Sequence, residues 1–402
     1  MDVLRVERGS RNSRTMLTVA IFFSLIVLAF AVFQNHCTAG LLRSFENDIP
    51  AASTTRTDHQ QGTFEPQAVV ILCLRGADPH LGDCLSGLLA QNYNNWALRI
   101  VVDHANDPAV EIVESILGLE SHPNVTVRVL ETRYETCSLK LSALSQELAL
   151  LGENCEVVVL VDADVMTYPD WLKDMLNPLQ HREVGATTGI RWFAPPDKSL
   201  GAIMRYVWNL GALGQMHRFG IAWGGSLAMK TEFVRSAELS RQWSQMAFED
   251  TALLTSLTRA NLQLRFVPQA VMVNTESIEV INCMNFIRRQ ILNAKLYHPA
   301  WKSIFSFGLL STTGTAGSLI VLFAALLTHN WPVLAALAGI LGIACVTSAL
   351  SAIRLESSVH QHLATRSNRR LSSALLTSTI YVIPVQLFYG FVLLAVLKQK
   401  TV

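Results

Sequence analysis

Asp162 and Asp164 stand one residue apart in EVVVLVDADVMTYPDW, directly after the unbroken apolar run 157–161. Such a run reads as a buried strand. Residues two apart on a strand point to the same side, so both carboxylates leave the sheet together. Unpaired, they would repel and raise each other's pKa, a conflict that a hard divalent cation removes. Mg2+ or Mn2+ prefers oxygen ligands and commonly takes one or two carboxylates plus substrate phosphates. The pair is therefore a candidate metal centre, with an acidic turn opening the next helix as the plain alternative.

Other acids stand at comparable places. Asp103 closes the apolar run 97–103 in RIVVDHANDPAV, where a carboxylate can accept hydrogen bonds from a base or a ribose, or simply cap the following helix. Glu249 and Asp250 precede the helically spaced stretch 251–264, a position that acids favour for dipole reasons alone.

These residues need a frame, and an alternating pattern supplies it. Strands are expected over 68–74, 97–103, 125–130 and 157–161, with helices over 81–91, 109–119 and 140–150 between them. Continuous apolar strands separated by helical periods predict an α/β domain: a mostly parallel, Rossmann-like sheet covered on both faces, with ligands beyond the carboxyl ends of the strands.

Half of the 402 residues are hydrophobic and only 16% are charged, too apolar for a purely soluble protein. Four runs, 16–33, 305–328, 331–350 and 371–397, are each long enough to cross a ~30 Å hydrocarbon layer. The first reads as an anchor and not a signal peptide, since no clear small-x-small site follows it. Arg288, Arg289, Lys295 and Lys302, with Arg354, Arg366, Arg369 and Arg370, place the middle domain on the cytoplasmic side. Arg5, Arg8, Arg11 and Arg14 favour the opposite sense for a spanning first helix, so that segment is expected to be re-entrant or to insert against the charge rule. The implied division is an N-terminal anchor (1–36), a polar linker (37–67), a catalytic domain ending in a basic interfacial segment (68–303) and three membrane helices (304–402). With a net charge of +1 and no Lys/Arg block interleaved with aromatics, nucleic acid is not an expected partner. Seven scattered cysteines without a Cys-x-x-Cys spacing suggest neither a disulfide frame nor a zinc site.

In order and spacing, Asp103 in VVDHANDPAV, the PNVTVRVL and Lys140 segments, Asp162-Ala163-Asp164, GIAWGGSLAMK, Glu249-Asp250 and IRRQILNAKLYHP resemble family-2 glycosyltransferases with the GT-A fold, closest to the ceramide glucosyltransferase group. The resemblance covers about residues 68–301. It implies a UDP-sugar donor, with glucose as the sugar, and a lipid acceptor such as ceramide. Asp103 would hold the uracil or ribose, and Lys140, Glu249 and Arg289 would belong to the donor site. Asp162 and Asp164 would bring Mg2+ or Mn2+ to the diphosphate, and Asp250 would be the general base of an inverting displacement. One departure stands out: where the family ends its site with Gln or Arg, two residues and Arg-Trp, this chain has RQILN (289–293).

Two further expectations concern the acceptor. The segment 285–301 is basic and aromatic and should lie at the membrane interface. The segment 200–219 is expected to be a packed helix, with an acceptor groove as the alternative; His217 and His298 are read as structural. Other classes stay open: a processive polysaccharide synthase, a noncatalytic membrane scaffold, and a haloacid-dehalogenase-like phosphatase, whose pattern wants Thr or Val where Met166 stands.

Overall fold

The computed structural model describes residues 2–47, 64–118, 122–197, 199–366, 371, 373–374 and 381–399. The side chains of Arg5, Arg8 and Arg11, Arg369 and Arg370, Leu119 at the end of the second expected helix, and linker residues 48–63 lie outside that description.

A seven-stranded sheet forms the centre, in the order β3-β2-β1-β4-β6-β5-β7. β1 (Ala68–Leu74), β2 (Trp96–Val102), β3 (Val125–Val129) and β4 (Val157–Val161) are mutually parallel, and β5 (Val184–Phe193) runs parallel to β7 (Gln263–Asn274). Only β6 (Ser226–Lys230) is reversed, inserted between β4 and β5. The expected mostly parallel α/β sheet is thus present, and its first four strands lie within a residue of their expected positions.

The central strands β1 and β4 are apolar throughout because both of their faces are covered. Alternate side chains serve two cores: Val70, Leu72, Val157 and Val159 pack with Leu85 and Trp171 on one face, while Val69, Ile71, Val158 and Leu160 pack with Leu141 and Trp243 on the other. The first face carries α2 (Leu81–Leu89), α3 (Ala109–Leu117) and α5 (Trp171–Leu176); the second carries α4 (Leu139–Ala149), α7 (Thr231–Ser236), α8 (Leu239–Trp243) and α9 (Leu253–Arg259). This period of two decides the site, because it sends the residues that follow β2 and β4 towards the N-terminus of α4.

The membrane part departs from expectation in two ways. α1 (Asp2–Asn47) runs through residues 16–33 without a break, so the re-entrant reading gives way to one continuous helix. It also enters the expected linker, because Leu41 and Phe45 bury against Ile190, Trp192 and Val273 of the sheet, which extends the helix past the polar composition change. Among the described residues, three helices are long and apolar enough to cross a membrane, Ser13–Glu46 within α1, α11 (Trp301–Leu327) and α12 (Trp331–Arg366); the fourth expected span lies partly outside those residues. The described part of the fourth run, α13 (Val382–Leu397), has 16 residues, short of the roughly 20 that a crossing needs; Pro384 occupies its first turn, where its missing N–H costs nothing. Residues 372 and 375–380 of that run lie outside the description.

α6 (Leu200–Phe219) and α10 (Val280–Tyr297) join the two parts. α6 ends at Gly220, whose positive φ of 68° closes the helix in a left-handed turn. On α10, Cys283, Ile287 and Ile291 pack with Val385 and Leu393 of α13. Lys295, expected only as a surface charge, donates to the carbonyls of Val396, Leu397 and Gln399 at 2.9, 2.9 and 2.6 Å and so caps the C-terminus of α13.

Candidate active site

Asp162 is the first residue beyond β4 and faces α4. There the Lys140 ammonium lies 2.7 Å from Asp162 Oδ1 and 2.5 Å from Glu249 Oε1. Burial alone would raise the Asp162 carboxyl, but Lys140, then Arg191 and Arg289, outweigh it and hold the pKa below the ordinary value. Burial would depress Lys140, yet its two carboxylates drive it well above the ordinary lysine value. Glu249 is raised, chiefly by burial and against the pull of Lys140. The structure therefore sets Glu249 against Lys140, and it lines neither of the cavities described below.

Asp164 is held from the opposite half of the sheet. The Arg191 guanidinium on β5 pairs with its Oδ2, and Asn274 Nδ2 at the end of β7 donates to the same oxygen at 2.8 Å. Arg191 also lies over the rings of Phe193 and Trp223, 5.1 and 5.3 Å from their centroids. Neither Arg191 nor Asn274 was singled out from the sequence. The available signal was a polar residue at the exit of a buried strand, and it needed the strand order to be read.

These contacts use one oxygen of each acid. Asp162 Oδ2 and Asp164 Oδ1 accept no hydrogen bond among the described residues, and hard carboxylate oxygens suit Mg2+ or Mn2+. Gly225 keeps the space open: a Cβ there would stand 2.5 Å from Asp162 Oδ2. The residues present thus fit a divalent cation.

Asp103, the first residue beyond β2, borders a cavity of about 290 Å³ with Cys73, Ser138 and Lys140. It does not cap α3. Asp107 takes that role, accepting from Ala109 N at 2.8 Å and from Gly76 N at 2.9 Å. Arg133 Nη2 lies 3.2 Å from Asp103 Oδ1, yet that oxygen is buried without a hydrogen-bond partner. An orphaned buried acceptor costs roughly 1–3 kcal/mol, which an incoming donor would recover. The N-terminus of α4, capped by the Ser138 side chain, faces the same cavity, where helix dipoles favour anions.

Asp250 precedes α9 and accepts three hydrogen bonds: Gly224 N to Oδ2 at 3.1 Å, Thr251 Oγ1 to Oδ1 at 2.9 Å and Asn293 Nδ2 to Oδ1 at 3.3 Å. Asp162 N donates to Gly225 O at 3.3 Å, so a single Gly-Gly segment ties the end of β4 to Asp250. Asn293 stands in the run that departs from the family pattern. Arg289 is exposed and makes no ion pair among the described residues, but its charge reaches Asp162.

Asp250 also lines a second cavity, of about 520 Å³, that extends between α1, α6, α11, α12 and α13. α6, expected as a packed helix, buries Met204, Tyr206 and Leu213 and also contributes Val207, Trp208, Gly211 and Gln215 to the wall of this cavity. His298 is buried and donates or accepts nothing at Nε2; its Nδ1 accepts from Ala300 N at 3.1 Å, which is a structural role.

A mostly parallel sheet with one reversed strand, and acids at the carboxyl ends of β2 and β4, is an arrangement of the GT-A kind. The sequence pattern of Glycosyl transferase family 21 matches residues 19–382, and the chain belongs to that family. Among solved structures, the mannosyltransferase PcManGT from Pyrobaculum calidifontis, in complex with GDP-Man and Mn2+, is similar over 87% of this chain and 99% of its own, with 17% identity and a TM-score of 0.54. A glucosyl-3-phosphoglycerate synthase from Mycobacterium tuberculosis, in complex with Mn2+ and UDP-Glc, aligns over 58% of this chain and 81% of its own at 12% identity and a TM-score of 0.38.

Proposed function

We propose that this glycosyltransferase moves glucose from UDP-glucose to the hydroxyl of a neutral lipid of the ceramide kind in one inverting displacement. The observation that carries the reading is the second cavity: it begins at Asp250 and continues among helices able to cross a membrane. Asp250 is the only charged residue among the described residues that line it. A lipid alcohol suits such a wall, whereas a lipid phosphate would find no cation there and would meet a carboxylate.

In this reading the donor's nucleoside enters the first cavity and its diphosphate lies towards Asp162 and Asp164. Asp103 accepts from the uracil or ribose, and the N-terminus of α4 with Lys140 faces the diphosphate, joined by Arg289. Asp162 and Asp164 would hold a divalent cation, which would supply charge neutralisation to the diphosphate. Lys140 and Arg191 keep Asp162 ionised, and Arg191 with Asn274 orients Asp164. Asp250 takes the proton of the acceptor hydroxyl as that oxygen attacks the anomeric carbon, and the apolar wall keeps competing water away. The catalytic unit spans 68–303 in this reading and faces the cytoplasm, which the basic residues of 288–302 favour.

The test is a screen of labelled nucleotide sugars, including UDP-glucose and GDP-mannose, against membranes containing the protein and Mn2+, followed by mass analysis of extracted lipids. A glycolipid carrying a single sugar is expected. Polymeric products would favour the processive alternative, and no product, or product unaffected by Asp250→Asn, would overturn the assignment.

A further inference from the structure

Building on the acceptor reading above, we infer that the deep end of the membrane cavity is a subsite for one extended hydrocarbon chain, whose length is set by Ala31, Leu341 and Ala344. The cavity is sorted along its length. α1 enters its wall at Val27 and leaves it at Thr38, a span of about 16 Å at ~1.5 Å per residue. That is about half of a ~30 Å hydrocarbon layer, the depth of one leaflet.

The direction follows from how the helices meet the catalytic domain. Leu41 and Phe45, further along α1, pack on the sheet, as does Leu355 of α12. Thr38 and Leu355 therefore mark the catalytic end, and Val27 and Leu341 the deep end. Uncharged polar side chains gather towards the former: Gln34 Nε2 donates to Gly211 O at 2.8 Å, Gln215 Nε2 to Gln34 Oε1 at 3.0 Å, and Ser351 Oγ to Asn35 Oδ1 at 2.7 Å. At the deep end Val27, Ala31 and Ala344 pack with Leu341, and Thr315 is the cavity-lining polar residue nearest to them on α11. A hydroxyl head placed at Asp250 would thus direct a hydrocarbon tail towards this cluster. Ala31 and Ala344 each offer only a methyl group, so a larger side chain at either position fills space that the end of the tail would occupy.

The test compares octyl-chain and hexadecyl-chain versions of one lipid acceptor with the full-length protein in nanodiscs. Ala31→Phe should lower the hexadecyl-to-octyl ratio of kcat/KM by about tenfold, the effect of roughly two methylenes losing burial. Leu341→Ala, which opens the same end from the facing helix, should raise that ratio. An unchanged ratio in both variants, or equal loss of both acceptors, would overturn the subsite. No transfer by the wild-type protein to either acceptor would overturn the lipid reading itself, and the subsite with it.

Discussion

Asn293 donates from Nδ2 to Asp250 Oδ1 at 3.3 Å, so the segment that departs from the family's Arg-Trp ending reaches the candidate base directly. Its own Oδ1 is buried without a partner, which makes the amide costly to keep for packing alone. Asn293→Leu preserves volume and removes the donor. A hydrogen bond to a charged group contributes about 1.5–3 kcal/mol, so kcat should fall by roughly ten- to a hundredfold. Donor affinity by titration calorimetry should stay within about twofold. An unchanged kcat would show that Gly224 and Thr251 suffice to orient Asp250.

Asp250→Asn removes the proton acceptor and leaves the shape. A placed base typically contributes ~10² to 10⁴ in rate, and turnover should fall by that range while nucleotide binding persists. Full turnover in this variant would move the base elsewhere.

Chelation tests the paired acids. With the divalent cation removed, donor binding and transfer should both be lost and should return on adding Mn2+. Asp164→Asn should weaken the rescue, because it halves the charge offered to a hard cation. Equal donor affinity with and without chelator would rule out a metal at this site.

Gly225→Ala adds a Cβ 2.5 Å from Asp162 Oδ2 and against the Trp223 ring. Contacts this short force a shift in the metal-side carboxylate. Turnover should fall at least tenfold, with a smaller proportional change in thermal midpoint, and activity together with unfolding measured on one preparation would separate the two.

Lys140→Met leaves Asp162 and Glu249 without their shared cation. Removing one partner of a buried pair costs about 3–5 kcal/mol, and the partial exposure of this pair argues for the lower end. Wild-type Asp162, held below its ordinary pKa, contributes stability that is present at neutral pH and lost only as pH falls through that lowered value. In the variant, burial would raise both carboxyls, and their protonation on acidification would relieve the strain. The stability gap between the two proteins should therefore narrow from neutral pH to about pH 4, followed by denaturant unfolding. A gap that widened on acidification would contradict the proposed charge balance.

Much of this was legible before any coordinates, because the signals are local. An apolar run followed by a polar residue marks the exit of a buried strand, so β1 to β4, Asp103 and the Asp162–Asp164 pair could be placed from spacing alone. Composition likewise gave a membrane protein. Local pattern failed where a residue's surroundings come from distant segments. The first part of the expected linker, 37–47, became helix because Leu41 and Phe45 find a sheet to bury against. Arg191 and Asn274 join Asp164 only because β6 pairs with both β4 and β5 and so brings the β5–β7 half of the sheet to the same edge.

The sequence by itself determined that acidic side chains would converge at a sheet edge next to a membrane, since strand periodicity and hydropathy are properties of short stretches. Only the tertiary structure decided that Lys140 would bridge Asp162 and Glu249, that Asn293 would hold Asp250, and that α6, besides packing, would line a cavity. Those outcomes depend on which distant segments pack together, and a cavity is the space such packing leaves unfilled, for which no single residue carries a signal.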